Sequence, residues 1–221
     1  MNELEKYGLS KETQQKFELY FSMIVEWNEK FNLTAILEQN EVFVKHFIDS
    51  LMSEKYVNFA NKTLLDVGSG AGFPGIPLAI NHPDLSVTLL EANGKKISFL
   101  KEVIKKLNLT NVKIIQGRSE EFVGQYDFVT ARAVKQLNIL LEISSHLVKV
   151  GGLFLAYKGN ANNEINESKK ALNKLNLEIV GDYKYELPSS FDNRELIVIR
   201  KFDKTPTKYP RSYSDIVKKP L

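Results

Sequence analysis

The glycine-rich stretch LDVGSGAGFPG at residues 65–75 constrains the fold of this chain more than any other feature. It contains the end of an apolar segment, residues 63–67, that is typical of a buried parallel strand. Glycine has no Cβ, so the turn can adopt positive φ angles and bring its backbone close to a ligand. Pro74 favours a helix start directly beyond, which supplies unpaired N–H groups. Strand, turn and helix together predict a pocket for a nucleotide-like ligand.

Two ligand classes fit this loop. The spacing G-x-G-x-x-G at residues 70–75 matches the dinucleotide fingerprint, and Glu91 lies where that fingerprint has a ribose-binding acid. Asp66 extends the pattern to D-x-G-x-G-x-G, the form found in Rossmann-like S-adenosylmethionine methyltransferases. In those enzymes the acid after the second strand holds the ribose hydroxyls, a place that Glu91 also fits. A methyltransferase and an NAD-dependent oxidoreductase are therefore the two interpretations of the loop.

The composition excludes several classes of protein. The chain has 221 residues, of which 43% are apolar, and no cysteine, so we expect a sizeable core without disulfides or cysteine-bound zinc. No apolar run reaches the length that spans a membrane. We therefore expect a soluble, cytoplasmic protein, monomeric and without a metal site.

Charge is unevenly distributed along the chain. Residues 1–60 carry six lysines and ten acidic residues, for a net charge of −4. Residues 201–221 carry six basic and two acidic residues, for a net charge of +4. A basic tail suits an anionic partner such as nucleic acid, although a merely solvated tail would have the same pattern.

The periodicity of apolar residues divides the chain into three parts. Helices predicted over 10–31, capped by Ser10, and over 40–52 form an N-terminal helical cap at residues 1–60. From residue 61 to residue 202, strands alternate with helices, which predicts a cofactor-binding domain built on a parallel sheet. Residues 203–221 form the basic C-terminal tail.

The order of elements within that domain favours a methyltransferase. We expect strands at 63–67, 86–91, 111–116, 126–131 and 152–158, and helices at 75–81, 95–107, 136–148 and 163–175. Two further strands, at 178–187 and 195–202, follow each other without a helix and predict an antiparallel hairpin, which is not how a dehydrogenase fold ends. We therefore expect an α/β fold of the Rossmann-like, class I methyltransferase type. It has a mostly parallel seven-stranded sheet, a terminal antiparallel hairpin and an N-terminal helical extension.

Three cations fall at the carboxyl ends of predicted strands, the edge at which open α/β sheets bind ligands. Arg118 follows the third strand, Arg132 follows the fourth, and Lys158 ends the fifth. Their convergence on one rim predicts an anionic substrate such as a polynucleotide.

Residues that the chain lacks narrow the reaction. Carbon-5 methylation of pyrimidines usually needs a cysteine, and methylation of adenine amines typically uses an (Asn/Asp)-Pro-Pro-(Tyr/Phe) run where this chain has TARA. Ribose 2′-O methylation commonly uses an Asp, two Lys and a Glu. Lys158 and Glu195 could supply two of these groups, but Asp127 lies at the start of the fourth predicted strand, whereas the reaction needs an Asp at its end. Guanine N7 has a free lone pair and no proton to lose, so its methylation needs only positioning in a dry pocket. N7 methylation is favoured, with ribose methylation as the alternative.

Six segments and the C-terminal tail form a specific pattern along the chain. They are NLTA (32–35), HFIDS (46–50), DVGSGAGFPGIPLAI (66–80), RSEE (118–121), ARA (131–133), KG (158–159) and the tail 209–221. In this order they resemble the bacterial RsmG (GidB) family, which methylates guanine N7 in the 530 loop of 16S ribosomal RNA. The resemblance implies S-adenosyl-L-methionine as cofactor and the small ribosomal subunit as partner. Glu91 departs from the more usual Asp, and Lys95-Lys96 from the usual Lys-Arg.

The strand ends and the resemblance together predict the site residues. The catalytic candidates are Arg132, Lys158, Asn32 and His46. The expected cofactor contacts are Asp66, Gly68, Ser69, Gly70, Ala71, Gly72, Phe73, Glu91, Ser119, Glu120 and Arg132. The expected substrate contacts are Lys95, Arg118, Arg194, Arg211, Lys218 and Lys219. A third interpretation, a non-catalytic RNA-binding protein with this fold, is disfavoured by the intact glycine loop.

Overall fold

The computed structural model describes residues 3–221, without the side chain of Asn162, and in them seven strands form one sheet. Residues 1 and 2 of the predicted helical cap lie outside the described residues. The strands are β1 (Thr63–Val67), β2 (Ser86–Glu91), β3 (Val112–Gln116), β4 (Tyr126–Arg132), β5 (Val148–Lys158), β6 (Leu177–Glu186) and β7 (Asn193–Lys201). Their order is β3-β2-β1-β4-β5-β7-β6, with β7 antiparallel to both neighbours and the other pairs parallel. The predicted fold class, including the terminal hairpin, is confirmed.

The helices follow the predicted alternation closely. They are α1 (Glu3–Lys6), α2 (Lys11–Asn28), α3 (Gln39–Val42), α4 (Asp49–Leu51), α5 (Gly75–Asn81), α6 (Gly94–Lys106), α7 (Leu137–Ser144), α8 (Asn162–Glu167), α9 (Lys169–Lys174) and α10 (Tyr213–Lys218). The hydroxyl of Ser10 accepts a hydrogen bond from the N–H of Thr13 and so caps α2 as predicted. Asn93 caps α6 in the same way, with its side chain accepting from Lys95 and Lys96.

Three predicted helices are less regular than expected. In the predicted helix at 40–52, a π-helical segment, Phe43–Ile48, joins α3 to α4. The predicted helix at 136–148 ends as a 3₁₀ turn at Leu147, because β5 already begins at Val148, where it pairs with Tyr126 beside an irregularity in β4. The predicted helix at 163–175 divides at Ser168, whose hydroxyl donates to the carbonyl oxygen of Glu164.

Two hydrophobic clusters lie on the two faces of the sheet. In the first, Phe47 of the π-helical segment stacks on Phe17 and Tyr20 of α2, with ring centroids 4.7 and 5.2 Å apart. This cluster continues into α5 and α6, so the N-terminal helices share a core with the sheet. The second cluster joins α7 and α9 to α10, which contributes the fully buried Ile216. In the described chain no helix is long and apolar enough to cross a membrane.

Candidate active site

The glycine loop after β1 is held by the carboxylate of Asp66. Its Oδ2 accepts a hydrogen bond from the N–H of Gly75 at 3.1 Å, and its Oδ1 accepts one from the hydroxyl of Thr130 at 3.1 Å. The side chain is fully buried, and this burial raises the pKa of Asp66 to about 7. The sequence predicts a cofactor contact for Asp66, whereas its contacts in the structure brace the loop from within the protein.

The loop glycines have different surroundings. Gly68, Gly70 and Gly72 have φ angles of 66°, 60° and 99°, which glycine adopts without steric cost. A Cβ at Gly72 would lie only 2.6 Å from Tyr20 Oη and from Ile76 Cγ1, so this residue faces the interior. A Cβ at Gly70 would meet nothing closer than 3.8 Å. Gly70 is therefore the point where the loop backbone is open to a ligand.

Glu91 ends β2 beside this loop and orders its backbone. Its Oε2 accepts from the N–H of Gly70 at 2.8 Å, and its Oε1 accepts from the N–H of Asn93 at 2.8 Å. Each carboxylate oxygen has a second lone pair for a further donor. Glu91 thus connects the glycine loop to the start of α6 and can still accept hydrogen bonds from a ligand.

A small cavity of about 150 Å³ lies at the carboxyl ends of β1, β2 and β3. The residues that line it include Gly68, Glu91, Ser119, Glu120, Lys135 and Tyr213. It therefore brings together four of the predicted cofactor contacts. The other predicted loop positions lie outside this lining, namely Ser69, Gly70, Ala71, Gly72 and Phe73. Arg132 also lies outside it.

A large cavity of about 510 Å³ adjoins the small one. Val134 and Lys135 line both, so the two cavities share one wall. The predicted site residues that line the large cavity are Arg132, Lys158, His46 and Arg194. The structure thus separates a small niche beside the glycine loop from a wider, cation-lined cavity.

Arg132, the last residue of β4, is the centre of the polar network in the large cavity. Its Nη1 donates to Asp49 Oδ2 at 2.9 Å and to the carbonyl oxygens of Lys45 and His46 at 3.3 and 3.4 Å. Its guanidinium lies 4.9 Å from the ring centroid of Phe73, within the range of a cation–π interaction. Arg132 is mostly buried and is fixed from several sides.

The π-helical segment Phe43–Ile48 supplies the carbonyl groups that meet Arg132. In a π-helical turn the backbone hydrogen bonds join residues five apart, one more than in an α-helix, and such turns frequently occur at functional sites. The carbonyl oxygen of His46 accepts from Ser50 Oγ at 2.5 Å as well as from Arg132. The apolar residues of this segment keep a helical spacing, so the sequence gives no signal for the widened turn.

His46 is held as a neutral imidazole. Its Nδ1 lies 3.1 Å from the carbonyl oxygen of Lys45 and 3.4 Å from Arg132 Nη2, and its Nε2 lies 2.9 Å from the hydroxyl oxygen of Thr34. Burial, and next the charge of Arg132, lower the pKa of His46 to about 3. The ring stacks on Phe73 with centroids 4.6 Å apart. His46 is therefore a neutral part of the cavity wall at physiological pH.

Lys158 and Arg194 have carboxylate partners that the sequence analysis does not identify. Lys158 Nζ lies 2.6 Å from Glu164 Oε2 and donates to the carbonyl oxygen of Lys135 at 2.8 Å. Arg194 Nη2 lies 3.4 Å from Asp192 Oδ2. Lys158 and Arg194, like Arg132, are thus held in ion pairs, which fixes their positions and reduces the net positive charge of the cavity.

The predicted rim of three cations needs a correction. Arg132 and Lys158 line the large cavity, but Arg118 lines the small cavity instead. Arg118 Nη1 lies 4.0 Å from Glu120 Oε1. Because β3 and β4 are separated in the sheet by β2 and β1, their ends do not bring these side chains to one point.

The remaining predicted residues lie at the surface or in the C-terminal segment. Asn32 is exposed and lies outside the lining of both cavities. Lys95 lines a separate groove with Trp27 and Phe31, and its Nζ lies 5.4 Å from the ring centroid of Phe31. Lys218 and Lys219 are exposed at the end of α10.

Arg211, a predicted substrate contact, has an internal partner that the sequence analysis does not identify. Its Nε lies 2.6 Å from Oε1 of Glu142, whose side chain is fully buried. A guanidinium committed to an internal carboxylate is not available as a free phosphate ligand. A signal was present in the sequence, because Glu142 is the only charged residue in the mostly apolar helix LNILLEIS.

Of the residues considered for ribose methylation, Lys158 and Glu195 are paired neighbours on β5 and β7, but Asp127 lies at the other end of the strands. Asp127 lies near the start of β4, where it accepts from Thr63 and pairs with Lys149 at 3.0 Å. Lys158 pairs with Glu164 at the carboxyl ends of the strands, which is the opposite end from Asp127, and Glu195 accepts a hydrogen bond from the N–H of Ala161. The tetrad is therefore not assembled, and this alternative loses its structural basis.

The small cavity fits S-adenosylmethionine by the chemistry of its walls. Leu90 and Ile143 offer apolar surface to a flat base. Glu91 offers acceptors for ribose hydroxyls, and Gly70 leaves the loop backbone open beside it. The residues present thus match the apolar and polar parts of this cofactor.

Solved methyltransferases share this fold. A methyltransferase from Pyrococcus furiosus superposes with a TM-score of 0.62 at 17% identity, covering 85% of this chain and 98% of that chain. TYW2 from M. jannaschii in complex with AdoMet gives a TM-score of 0.57 at 19% identity, covering 72% of this chain and 76% of that chain. Fold and site together define a Rossmann-like methyltransferase that uses S-adenosylmethionine.

Sequence comparison defines the family within this class. The family model for rRNA small subunit methyltransferase G (GidB) matches residues 13–186. The ribosomal RNA small subunit methyltransferase G of Bacillus subtilis (strain 168) is 44% identical over 223 residues, covering 97% of this chain and 92% of that protein. That of Lactobacillus acidophilus is 44% identical over 232 residues, covering 99% and 96%. The chain belongs to the rRNA small subunit methyltransferase G family, and the predicted family resemblance is confirmed.

Proposed function

We propose that the protein transfers a methyl group from S-adenosylmethionine to N7 of a guanine in the 530 loop of 16S rRNA. The observation that carries this proposal is the nature of the large cavity beside the cofactor niche. Its carboxylates, Asp49 and Glu164, are engaged by Arg132 and Lys158, and His46 is a neutral imidazole with both ring nitrogens occupied. Guanine N7 has no proton to lose, so a site without a free base suits it.

The cofactor contacts belong to the small cavity and the glycine loop. Glu91 accepts hydrogen bonds from the ribose, the backbone at Gly68 and Gly70 lies against the cofactor, and Ser119 and Glu120 adjoin the base. Asp66 and Gly72 act indirectly, since their contacts hold the loop in shape. When bound, S-adenosylmethionine supplies an electrophilic methyl group.

The substrate contacts belong to the large cavity. Arg132 and Lys158 position the guanine or its phosphate, with Arg194 at the same wall. Their ion pairs hold them in place before RNA binds, which lowers the entropic cost of aligning the base. The base has to leave its stack to enter the cavity, because an edge inside a stacked helix cannot reach the methyl group.

The RNA surface extends beyond the cavities. Lys95 and Arg118 are exposed near the glycine loop and the small cavity, and Lys218 and Lys219 are exposed on the C-terminal helix. Such cations contact phosphates and set the salt dependence of binding. Asn32, in the exposed segment after α2, contacts RNA at the entrance of the site.

The chain is organised for this task in three parts. The helical cap at 1–60 shapes the substrate side, the domain at 61–202 holds the cofactor, and the tail at 203–221 packs on that domain through α10. The proposed partner is the small ribosomal subunit in the cytoplasm, bound by a single protein chain.

Methyl transfer from labelled S-adenosylmethionine to small subunits with an unmethylated 530 loop tests the function, with nucleoside identification after digestion. We expect label in 7-methylguanosine from 16S rRNA. Lys158→Met should lower this transfer at least tenfold. Lys149→Met, at the other end of the same strand, should not change it. Label in a 2′-O-methylated nucleoside, or equal effects of the two variants, would contradict the proposal.

A further inference from the structure

We propose that the C-terminal segment at residues 209–221 is a wall of the cofactor site. In it, Tyr213 contacts the cofactor, and Arg211 is the residue that positions Tyr213. The inference rests on the assignment of the small cavity to S-adenosylmethionine. It gives this basic segment a role that its charge pattern did not suggest.

Arg211 anchors the segment to the body of the protein. Its Nε and Nη2 lie 2.6 Å from Oε1 and Oε2 of Glu142, which is a two-pronged pairing of guanidinium and carboxylate. Glu142 belongs to α7, and its side chain is fully buried. A buried carboxylate is unfavourable without a partner, so the protein holds Arg211 at this position.

The same guanidinium also holds the far end of α10. Arg211 Nη2 donates to the carbonyl oxygen of Lys219 at 3.0 Å. Between these two contacts, Ser212 caps α10 by accepting from the N–H of Asp215, and Ile216 is fully buried in the second hydrophobic cluster. The helix is therefore fixed at its start, in its middle and at its end.

This anchoring places Tyr213, the first residue of α10, in the lining of the small cavity. The ring centroid of Tyr213 lies 5.7 Å from Arg118 Cζ and 5.7 Å from Lys135 Nζ. Arg118 follows β3, and Lys135 follows β4, so the ring lies between groups from two separate strand ends. It thus closes a side of the cavity that the sheet and its loops leave open.

The chemistry of the ring suits the base of the cofactor. An aromatic side chain gains dispersion and offset-stacking energy from a second flat ring, and an uncharged adenine is such a ring. The apolar residues Leu90 and Ile143 also line this cavity. The geometry therefore assigns Tyr213 to the adenine end of the cofactor, remote from the transferred methyl group.

Affinity for labelled S-adenosylmethionine and for the product S-adenosylhomocysteine tests the role of Tyr213. We expect Tyr213→Ala to weaken both ligands about tenfold or more and by the same factor, because the ring does not touch the methyl group. Tyr213→Phe should bind nearly as well as the unchanged protein, since the ring is kept. Val217→Ala, on an exposed position of the same helix, should leave affinity unchanged. Normal affinity in Tyr213→Ala would overturn the inference.

The test of Arg211 needs a measurement that distinguishes loss of its positioning role from a general loss of protein stability. We expect Arg211→Ala to raise the KM for S-adenosylmethionine about tenfold while kcat at saturating cofactor changes little, and Arg211→Lys to restore part of the affinity. If Arg211→Ala instead raises the KM for the ribosomal subunit alone, Arg211 contributes to RNA binding and not to the position of Tyr213, and the inference is wrong. Should Arg211→Ala fail to fold, Arg211→Lys tests the positioning role by the same KM-against-kcat comparison, and Tyr213→Ala tests the cofactor contact with the anchor intact.

The outcomes separate this inference from the proposed function. If the unchanged protein binds no S-adenosylmethionine, both fall. If it binds the cofactor and Tyr213→Ala does not, but guanine N7 is not methylated, the inference stands and the proposed function falls. If methylation of guanine N7 is observed and Tyr213→Ala binds normally, only the inference falls.

Discussion

Arg132 at the end of β4 and Asp49 at the start of α4 form an ion pair of 2.9 Å in a largely buried position. Asp49 Oδ1 also accepts from the hydroxyl of Tyr185 on β6 at 2.8 Å. One carboxylate thus connects the N-terminal helices, the cavity cation and the terminal hairpin. The position of Arg132 in the large cavity therefore depends on residues from three separate parts of the chain.

Removal of the charge of Asp49 should weaken both stability and catalysis. We expect Asp49→Asn to lower the free energy of unfolding by about 2 kcal/mol, because a charge-assisted hydrogen bond is replaced and Arg132 keeps a buried charge. Methyl transfer should fall at least tenfold, while the affinity for S-adenosylmethionine stays the same, since Asp49 does not line the small cavity. Urea unfolding, cofactor binding and transfer rates check the three effects. Full activity in Asp49→Asn would show that Arg132 needs no fixed position.

The neutral state of His46 predicts a specific pH dependence of stability. Its folded-state pKa of about 3 lies below the ordinary value of 6.5, so between these two pH values the unfolded chain binds more protons. The free energy of unfolding should therefore fall on acidification from about pH 6.5 towards 3, by at most about 1.4 kcal/mol per pH unit. His46→Gln, which can keep the contact with Thr34, should lack this contribution. Unfolding curves of both proteins between pH 4 and 8 measure the difference.

The unfolding free energies of the two proteins must be compared as a difference at each pH, because Asp66 changes the free energy of unfolding with pH in the opposite direction. Burial raises its pKa from 3.8 to about 7, so the folded protein binds more protons in that range and loses stability as the pH rises. This contribution is common to the two proteins and cancels between them. Parallel curves for the unchanged protein and for His46→Gln would mean that folding does not shift the pKa of His46 and would contradict its burial as a neutral ring.

Local patterns predicted the strands and the glycine loop well. The bounds of β1, β2 and α5 match the sequence analysis residue for residue, because short apolar runs, glycines and a proline determine these elements by themselves. Helix α6 differs by one residue at each end. The hairpin of β6 and β7 was likewise visible as two strands without a helix between them.

The polar partners of the site residues could not be predicted in the same way. Asp49 lies far in sequence from Arg132, and their pairing follows from tertiary packing, which periodicity does not contain. Glu164 and Asp192 lie only six and two residues from Lys158 and Arg194, but these pairs depend on how the chain turns between the paired residues, which apolar periodicity does not predict. The same holds for Tyr20, whose hydroxyl donates to the carbonyl oxygen of Ala71 and so connects α2 to the glycine loop.

Two glycines of the loop should respond differently to the same substitution. Gly70→Val adds a side chain where the nearest atom is 3.8 Å from the new Cβ, so the protein should fold, at a strain of about 2 kcal/mol from the positive φ. The added methyl groups occupy cofactor space, and binding of S-adenosylmethionine should be lost. Gly72→Val has contacts of 2.6 Å with Tyr20 and Ile76 and should unfold much more easily. Calorimetric binding and urea unfolding separate the two effects; cofactor binding at normal affinity by Gly70→Val would place the ligand elsewhere.

Lys95 should contribute to RNA affinity through charge alone. It lies in the first turn of α6 beside Trp27 and Phe31, whereas Lys105 is exposed in the last turn of the same helix. Each phosphate neutralised by a protein cation releases counterions, so log K falls with log salt by slightly less than one unit per contact. Lys95→Ala should therefore weaken binding to the small subunit and reduce this slope by about one unit, and Lys105→Ala should leave both unchanged. Cofactor affinity should not change in either variant, because neither residue lines the small cavity. A salt slope that is the same for Lys95→Ala and Lys105→Ala would show that RNA does not pass over the start of α6.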